Sequence, residues 1–335
     1  MRAHTDSPAR SSPPRRADSI DPTAFIERTR DRLRSLAGRR VLVTVSGGVD
    51  STTSAALLQA AGADSTNLMI DTGFLREGEP AAPIRQLEAA GLHIELVDER
   101  RRFQEAMEGT KRSSERRAAF RARYFEVLAQ YMRAHQIQVM AQGTQFRQIK
   151  AKQAHNEPTE HFLDHSFEIV EPVAGLTKGQ IRMVARALGI PDASVRRRPY
   201  PGPGLILRFG GEYTRDKLEL IRSATHVVDT FVQEHEQDFA ACYQIFPYLT
   251  DGEPVTYVDH SGTGSHGAVL LMRAVDEEAR GGTIVYRPFT IPDRLGRELV
   301  ERLMRIPGVA RVCWDLTPKF GIGIDVAPGA TIEYA

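Results

Sequence analysis

Short apolar runs alternate, in the first part of the chain, with longer segments whose apolar residues recur at the spacing of a helix turn. The run Val41-Leu42-Val43-Thr44-Val45 is largely β-branched, which is typical of a strand buried on both faces of a parallel sheet. A helix is predicted before it, from Asp21 until Gly38 ends it. Further strands are predicted near 66–70, 94–97 and 138–140, and helices near 51–61, 83–90 and 116–135. This alternation indicates an α/β fold with a doubly wound parallel sheet.

The regular alternation of predicted strands and helices ends after about Leu207. A helix is predicted at 215–234, and it is followed by strands at 242–246, 268–274, 283–286, 310–314 and 322–326 and a helix at 295–304. This order predicts a second, smaller α+β domain. Residues 1–20 are rich in Pro, Ser and Arg and predict a disordered tail, so the two domains are expected at 21–207 and 208–335. The stretch 199–204 and Gly210-Gly211 are predicted to form the hinge.

The composition indicates a soluble globular protein. Of the 335 residues, 26% are charged and 41% hydrophobic, and a net charge of +1 favours neither nucleic acid nor membranes. The chain has no run of about 18 apolar residues, and its N-terminus lacks the apolar core of a secretory signal. Cys242 and Cys313 show no metal-ligand spacing and no disulfide framework. These features predict a cytoplasmic protein without a nucleic-acid or membrane partner.

The first predicted strand runs directly into Ser46-Gly47-Gly48-Val49-Asp50-Ser51, where a helix starts. Two glycines let the backbone curl so that successive N–H groups point one way, and the helix N-terminus adds its own free N–H groups. The pattern matches neither Gly-Lys-Ser/Thr nor Gly-x-Gly-x-x-Gly, so it is neither a Walker loop nor a dinucleotide-binding turn. The alternative is an ordinary strand-to-helix turn with an aspartate near its cap. The complete pattern after a buried strand favours a phosphate site.

Ser-Gly-Gly-x-Asp-Ser resembles the signature of the PP-loop ATP pyrophosphatases. The resemblance implies that the loop grips the pyrophosphate end of ATP and that the bond broken lies between the α and β phosphates. Asp50 is then expected to position Mg²⁺ and to cap the helix. Pyrophosphate is expected to be held by Ser46, Gly47, Gly48, Val49 and Ser51.

Further segments resemble motifs of the synthetase part of the GMP synthase family, over about residues 22–335. They are Ile70-Asp71-Thr72-Gly73-Phe74-Leu75-Arg76, Ala141-Gln142-Gly143-Thr144, Pro199-Tyr200-Pro201-Gly202-Pro203-Gly204-Leu205 with Arg208, Asp315-Leu316-Thr317-Pro318-Lys319 and Ala330-Thr331-Ile332-Glu333-Tyr334-Ala335. The resemblance implies an adenine nucleotide alpha hydrolase-like PP-loop domain over 21–207. It also implies an α+β dimerisation domain over 208–335 whose tail completes the substrate site. A homodimer is therefore expected.

The resemblance also implies a carbon–nitrogen ligase that uses ATP and Mg²⁺. The C2 oxygen of XMP attacks the α-phosphate, pyrophosphate leaves, and ammonia displaces AMP to give GMP. This route makes chemical sense because a carbonyl-type oxygen leaves poorly whereas its adenylate leaves well. The residues before the first predicted strand are too few for a glutaminase domain, so none is expected there. Ammonia is therefore expected from a separate glutamine amidotransferase subunit or from solution.

The few lysines support this interpretation. The chain has six lysines, and three of them, Lys152, Lys178 and Lys319, match lysines of the family. Lys152 lies within Lys152-Gln153-Ala154-His155-Asn156, which resembles a mobile loop of the family enzymes. Catalytic roles are expected for Asp50, Lys152 and Lys178. ATP is expected to contact Asp71, Gln142 and Gly143 in addition to the loop. The expected nucleotide-binding set is Arg123, His155, Asn156, Pro201, Gly202, Pro203, Gly204, Arg208, Lys319, Thr331, Ile332 and Glu333.

The nucleotide-binding half departs from the family pattern. Where the family has Pro-Asp-x-x-Glu-Ser, this chain reads Arg147-Gln148-Ile149-Lys150-Ala151-Lys152, so both carboxylates are missing. The segments 157–165 and 259–266 are also rewritten, and an insertion lies at about 320–328. The loss of the two carboxylates makes the segment 147–152 more basic. A more basic segment favours a substrate with more negative charge, or a changed route for the leaving pyrophosphate. The alternative to XMP is a different purine-like or heterocyclic nucleotide of a specialised pathway.

Other classes of function are disfavoured. A tRNA-thiolating PP-loop enzyme needs cysteines near ATP and a basic surface, whereas both cysteines fall in the predicted second domain and the net charge is only +1. The intact phosphate loop speaks against a catalytically silent regulator. The histidines His155, His161 and His165 are interpreted as part of a polar loop rather than a metal site, and His260 and His266 as part of a Gly/Ser loop that can hold a phosphate.

Overall fold

The computed structural model describes residues 20–143, 167–252, 254–258, 264–280, 283–317 and 319–320; residues 1–19 of the predicted tail lie outside these ranges. The first part contains α1 (Pro22–Leu33), β1 (Arg40–Thr44), α2 (Val49–Ala60), β2 (Asp64–Asp71), α3 (Ala81–Ala89), β3 (Ile94–Asp98), α4 (Arg100–Met107), α5 (Ser113–Ala134), β4 (Val139–Ala141), β5 (Glu168–Val170), α6 (Lys178–Ala187) and α7 (Asp192–Arg196). The second part contains α8 (Arg215–Glu234), β6 (Gln244–Leu249), β7 (Val255–Val258), β8 (Gly264–Arg280), β9 (Thr283–Pro288), α9 (Asp293–Leu303), β10 (Val309–Trp314) and β11 (Lys319–Phe320). Short 3-10 helices cover Arg34–Leu36 and Gly204–Leu207.

The first sheet is parallel and has the strand order β3-β2-β1-β4-β5. On the central strand β1, Val41 and Val43 join a buried cluster with residues of α1, α2 and α6. Leu42 joins a different cluster, with residues of α4 and α5. Because successive side chains of a strand face opposite sides of the sheet, this division places helices on both faces. The predicted doubly wound parallel sheet is confirmed.

The second sheet has six strands and is built around β8. This strand is 17 residues long; it pairs antiparallel with β6, β7 and β9 and parallel with β10. Leu218 of α8 and Leu299 of α9 lie in the same buried cluster as Leu270 and Met272 of β8, so both helices pack on this sheet. The α+β class predicted for this part of the chain is confirmed.

One hydrophobic cluster extends from the first sheet to the second. Ile206 and Phe209 are fully buried and belong to the same cluster as Phe125 of α5 and Phe231 of α8. The connection between the two parts therefore contributes to the core itself. A domain boundary at Leu207 stays a prediction, since the core does not break at that residue.

A buried arginine holds this connection in place. Arg116 of α5 is fully buried, and its guanidinium donates hydrogen bonds to the carbonyl oxygens of Ile206 (2.8 Å) and Phe209 (2.6 Å). A further bond runs to the carbonyl oxygen of Gly211 (2.6 Å). Burial lowers the pKa of Arg116 from its ordinary value, and the carbonyl partners offset part of the cost of burying its charge.

The bounds of the longer helices agree closely with the sequence predictions, whereas strand β8 covers Gly264–Arg280 instead of the predicted 268–274. Helix α8 spans the predicted residues, and α2 begins at Val49, two residues earlier than predicted. The short elements α4, β5, α7, β7 and β11 are not among the predicted elements. The strand predicted at 322–326 lies outside the described residues. Among the residues that the structure does describe, no helix has the length and apolar character needed to cross a membrane.

Candidate active site

The phosphate loop joins the buried strand β1 to helix α2. Gly47 adopts a left-handed conformation with φ 72°, and Gly48, at φ −79° and ψ 151°, is the N-cap of α2. The backbone N–H of Ser46 donates to Ser51 Oγ (3.2 Å), and Ser51 Oγ donates to the carbonyl oxygen of Gly48 (3.1 Å). Ser51, in the first turn of α2, therefore stabilises the curved backbone of the loop through these two hydrogen bonds. The N–H groups of the first turn of α2 have no partners within the helix and can bind an anion.

The two glycines of the loop are required for different reasons. A Cβ atom on Gly47 would collide with the guanidinium of Arg197 and lie 2.9 Å from Pro83 Cβ. Space and backbone angle both demand glycine there. Within the described part of the chain, a Cβ atom on Gly48 would meet only Ser46 Oγ within 4 Å, at 3.4 Å, and its backbone angles are ordinary. The protein itself has room at Gly48, so a side chain there would obstruct a bound phosphate rather than the fold.

Asp50 and Lys178 form an ion pair beside this loop. Lys178 Nζ lies 2.7 Å from Asp50 Oδ2, and the two side chains are 19% and 18% exposed. Lys178 is the first residue of α6, whose N-cap Thr177 forms a capping box with Gln180. The capping box fixes where α6 starts and so where the lysine side chain begins. Two residues that are 128 positions apart in sequence thus meet at the phosphate loop.

The second carboxylate oxygen of Asp50 has no hydrogen-bond partner among the residues that the structure describes. Oδ1 is buried and accepts no hydrogen bond from any residue within the described ranges. A buried carboxylate oxygen without a partner is unfavourable, so its position fits a group that arrives with the ligand. Mg²⁺ is such a group, because it takes one or two carboxylate oxygens together with phosphate oxygens. The expectation that Asp50 also caps the helix is wrong: Gly48 is the N-cap, and Asp50 lies within the first turn without a capping hydrogen bond.

The carboxyl ends of β2 and β4 place three more of the expected residues. Asp71 ends β2; its Oδ1 accepts a hydrogen bond from the N–H of Gly73 (2.9 Å), and its Oδ2 lies 3.7 Å from Arg100 Nε. Gln142 and Gly143 follow β4, which is hydrogen-bonded beside β1. Gly143 packs directly against the backbone at the start of α2. The parallel sheet therefore brings these residues to the same edge as the phosphate loop.

We predict that Gly143→Ala impairs both folding and ATP turnover. Its Cβ atom would lie 2.7 Å from the backbone nitrogen of Ser51 and 2.8 Å from the carbonyl carbon of Asp50, and neither atom can rotate away. Overpacking of this kind costs about 1–3 kcal/mol, so the unfolding midpoint and kcat/KM for ATP should both fall. Gly296→Ala is the control, because no atom of the described ranges lies within 4 Å of its Cβ position. Equal unfolding midpoints and activities in the two variants would contradict the packing argument.

The segment Pro201-Gly202-Pro203-Gly204 docks on the loop that follows β2. Gly204 has φ 75°, its N–H donates to the carbonyl oxygen of Pro201 (2.9 Å), and the N–H of Leu205 donates to the carbonyl oxygen of Phe74 (2.9 Å). A Cβ atom on Gly204 would collide with that same Phe74 oxygen. Two motifs that are distant in sequence thus form one surface. Close backbone contact explains why glycine is needed at this turn.

The other residues expected to bind the nucleotide are more dispersed. Arg123 of α5 pairs with Glu126, with 2.7 Å between Nη1 and Oε2. Arg208 is 1% exposed, and its guanidinium lies 3.6 Å from the centre of the Phe246 ring. Lys319 is the first residue of β11. The expected site residues outside the described ranges are Lys152, His155, Asn156, Thr331, Ile332 and Glu333, and the same holds for Arg147, Lys150, His161, His165 and His260.

Comparison with known proteins decides the family. The chain is 35% identical over 330 residues to a subunit of the glutamine-hydrolysing GMP synthase of Methanopyrus kandleri, covering 94% of this chain and 99% of that one. The chain belongs to the GMP synthase family. The corresponding subunit of Methanocaldococcus jannaschii is 31% identical over 323 residues, which cover 94% of this chain and 99% of that one. The GMP synthase of Thermus thermophilus is 33% identical over 330 residues, which span 93% of this chain and 62% of that protein.

The first part of the chain also matches the model of a second family. The family model for NAD synthase matches residues 23–205. The structure of NMN synthetase from Francisella tularensis aligns with a TM-score of 0.46 and 16% identity, covering 64% of this chain and 87% of that one. The family matches confirm the resemblance predicted from the motifs. The protein is an ATP pyrophosphatase of the carbon–nitrogen ligase kind.

Motif matching did not point to two residues that lie behind the phosphate loop. Arg197 Nη1 donates to the carbonyl oxygen of Ser46 (3.4 Å), and its guanidinium pairs with Glu79. The available signal was the run Arg196-Arg197-Arg198 directly before the Pro199 motif. Runs of charge usually lie on solvated faces, so this signal alone does not identify a site.

Proposed function

We propose that the protein adenylylates a purine nucleotide, XMP or a close relative, and then aminates it with release of AMP and pyrophosphate. Its family membership supports ATP-dependent amidation of a nucleotide. The observation that carries the proposal is Oδ1 of Asp50, which accepts no hydrogen bond from the described residues, beside a helix N-terminus whose N-cap has no side-chain cap. A cation ligand and an anion site at the same end of α2 are what ATP with Mg²⁺ requires.

In the proposed reaction the loop binds the β and γ phosphates of ATP. The N–H groups at the start of α2 donate to phosphate oxygens, and Lys178, 2.7 Å from Asp50 Oδ2, adds positive charge next to them. Asp50 is proposed to hold Mg²⁺ through Oδ1; when bound, the ion neutralises negative charge on the departing pyrophosphate. Strand β1, helix α2 and helix α6 hold these groups in place before ATP arrives, so little reorganisation is needed.

The acceptor nucleotide is proposed to bind against the Pro201–Gly204 segment. A Cβ atom on Gly202 would have no described residue within 4 Å, so none of these residues prevents a ligand from contacting the exposed side of the segment. Asp71, Gln142 and Gly143 are proposed to contact ATP from the neighbouring strand ends. Further proposed contacts rest on motif matches alone, and these are Arg123, Lys152, His155, Asn156, Arg208, Lys319, Thr331, Ile332 and Glu333.

The nitrogen source and the assembly are part of the same proposal. The relatives that this chain covers over nearly their full length are each named as one subunit of a glutamine-hydrolysing enzyme. We therefore propose that a separate glutamine amidotransferase subunit supplies ammonia, with free ammonia as the simpler source. A homodimer is proposed, in which the second part of the chain forms the contact.

A second candidate substrate is a different purine-like or heterocyclic nucleotide. The observation that favours it is the change of two family carboxylates into a segment that carries Arg147 and Lys150. Arginine and lysine recognise additional anionic groups, so a nucleotide with more negative charge near this segment would fit it better. The chemistry at the phosphate loop would be the same for both substrates.

We predict that the enzyme, given ATP, Mg²⁺, ammonium and XMP, forms GMP and AMP in equal amounts. Chromatography of the nucleotides measures both products. IMP is the matched control, because it lacks the C2 oxygen that is adenylylated and should leave ATP intact. ATP cleavage with another heterocyclic nucleotide, but no GMP from XMP, would refute XMP and support the second candidate. No ATP cleavage with any nucleotide of a purine panel would refute the proposed function itself.

A further inference from the structure

A network of four charged side chains, three of them largely buried, lies behind the phosphate loop. Arg76 Nη2 is 2.9 Å from Glu79 Oε1, and Arg76 Nη1 is 3.1 Å from Asp229 Oδ2. Arg197 pairs with the same oxygen of Glu79. The side chains of Arg76, Glu79 and Arg197 are 16%, 11% and 18% exposed, so their charges interact strongly with one another. The order of contact is Asp229, Arg76, Glu79, Arg197.

One end of this network contacts the loop backbone. Arg197 Nη1 donates to the carbonyl oxygen of Ser46 (3.4 Å) and fills the space beside Gly47 where a Cβ atom would stand. In a trans peptide the carbonyl and the following N–H point in opposite directions. Holding the Ser46 carbonyl toward Arg197 therefore turns the N–H of Gly47 to the other side of the loop. The position of Arg197 thus sets the orientation of the Ser46–Gly47 peptide group in the phosphate loop.

The other end of the network reaches the nucleotide segment and the second part of the chain. Asp229 belongs to α8, which packs on the second sheet. The guanidinium of Arg76 lies 4.8 Å from the centre of the Tyr200 ring, and Tyr200 immediately precedes Pro201. A displacement of either element therefore changes the surroundings of Arg76, and through Glu79 those of Arg197.

We propose that Arg197 is a positioning residue for the phosphate loop and that Asp229, Arg76 and Glu79 connect it to α8 and to the nucleotide segment. This inference rests on the proposed function, in which ATP binds at that loop. The network keeps the Ser46–Gly47 peptide in its phosphate-binding orientation, so that its integrity sets the affinity for ATP. Arg197 contacts the loop backbone and not the segment proposed to bind the acceptor nucleotide, so its loss should change the affinity for that nucleotide far less.

The chain offers variants at both ends of the network and a control next to it. Asp229→Asn removes the charge at the far end, where the side chain is 38% exposed and tolerant of change. Arg197→Gln removes the near end. Arg196→Gln is the control: its guanidinium is 63% exposed and pairs with Asp192 and Glu236, away from the loop. Thermal unfolding of each variant identifies any loss of fold.

We expect the variants to change the KM and dissociation constant for ATP much more than kcat or the KM for the acceptor nucleotide. Asp229→Asn should raise the KM for ATP and the dissociation constant of ATP by about threefold to tenfold, with kcat and the KM of the acceptor nucleotide within about twofold. Arg197→Gln should raise the same two ATP constants by about tenfold or more. The double variant should match Arg197→Gln alone, because removing the near end disconnects the far end. Arg196→Gln should match the wild type.

Three outcomes would overturn the inference. Unchanged ATP constants in Asp229→Asn, additive effects in the double variant, or an equal rise in Arg196→Gln would each show that the network does not act through the loop. Asp229→Asn decides the question alone if Arg197→Gln fails to fold. Calorimetric titration of the wild type with ATP distinguishes failure of the network proposal from failure of the proposed function. A wild-type protein that does not bind ATP refutes the proposed function, whereas normal wild-type binding with unaffected variants refutes only the network.

Discussion

Asp50→Asn is expected to lower kcat for ATP cleavage by about a thousandfold, equivalent to about 4 kcal/mol of transition-state stabilisation. Asparagine keeps the shape of the side chain but removes its charge. The variant loses the 2.7 Å ion pair with Lys178 and the anionic Oδ1 that has no partner within the described residues. Single-turnover measurement of pyrophosphate release at saturating ATP tests this directly.

The matched control is Asp64→Asn, at the start of β2. Its carboxylate is 68% exposed and lies 3.7 Å from Arg40 Nε, far along the sheet from the loop. Exposed ion pairs contribute little, so this variant should keep wild-type activity and stability. Asp50→Asn should also stay folded, because asparagine has nearly the same volume as aspartate and leaves the packing of α2 intact. If Asp50→Asn retains more than about a tenth of wild-type kcat, the assignment of Asp50 to the metal and phosphates is wrong.

Gly48→Val is expected to abolish ATP turnover and ATP binding while the protein stays folded. The backbone at Gly48 has φ −79° and ψ 151°, which valine accepts. Of the described residues, only Ser46 would lie within 4 Å of a Cβ atom there, with its Oγ at 3.4 Å. The added methyl groups would occupy the space in front of the first turn of α2, where phosphate oxygens are proposed to bind. The loss of a favourable N-cap residue should cost no more than about 1 kcal/mol of unfolding free energy.

Gly47→Ala provides the contrasting variant. It has the smaller side chain, yet Gly47 has φ 72° and no room beside Arg197. We expect it to lower the unfolding free energy by about 1–3 kcal/mol, more than Gly48→Val does. Calorimetric titration with ATP and thermal unfolding of both variants give the comparison. ATP turnover at the wild-type rate in Gly48→Val would place the phosphates somewhere other than this loop.

Several features of the protein follow from local sequence alone. The phosphate loop could be predicted because two glycines, a buried strand before them and a helix after them are all encoded within about fifteen residues. The alternation of β-branched runs with helical segments predicted the sheet for the same reason, since periods of two and 3.6 residues are local properties. Short elements such as α4 and α7 escaped prediction because few residues carry their pattern.

The partners within the site depend on long-range packing and could not be read from local pattern. Lys178 had been singled out by its match to a family lysine, but only the fold shows that it contacts Asp50, 128 positions away. The contact of Gly204 with the Phe74 carbonyl likewise required the structure. The glycine pattern indicated a turn, and the surface on which the turn docks comes from a distant segment.

The sequence by itself determined the two classes of sheet, the family, and the place where phosphate is expected to bind, because each is encoded by residues that are neighbours along the chain. Tertiary structure alone decided that Asp50 does not cap its helix, that its Oδ1 has no partner within the described ranges, and that Arg197 and Glu79 lie behind the loop. The physical reason is the same in each case. Burial and ion pairing depend on distances between segments, and those distances exist only once the sheets and helices have packed.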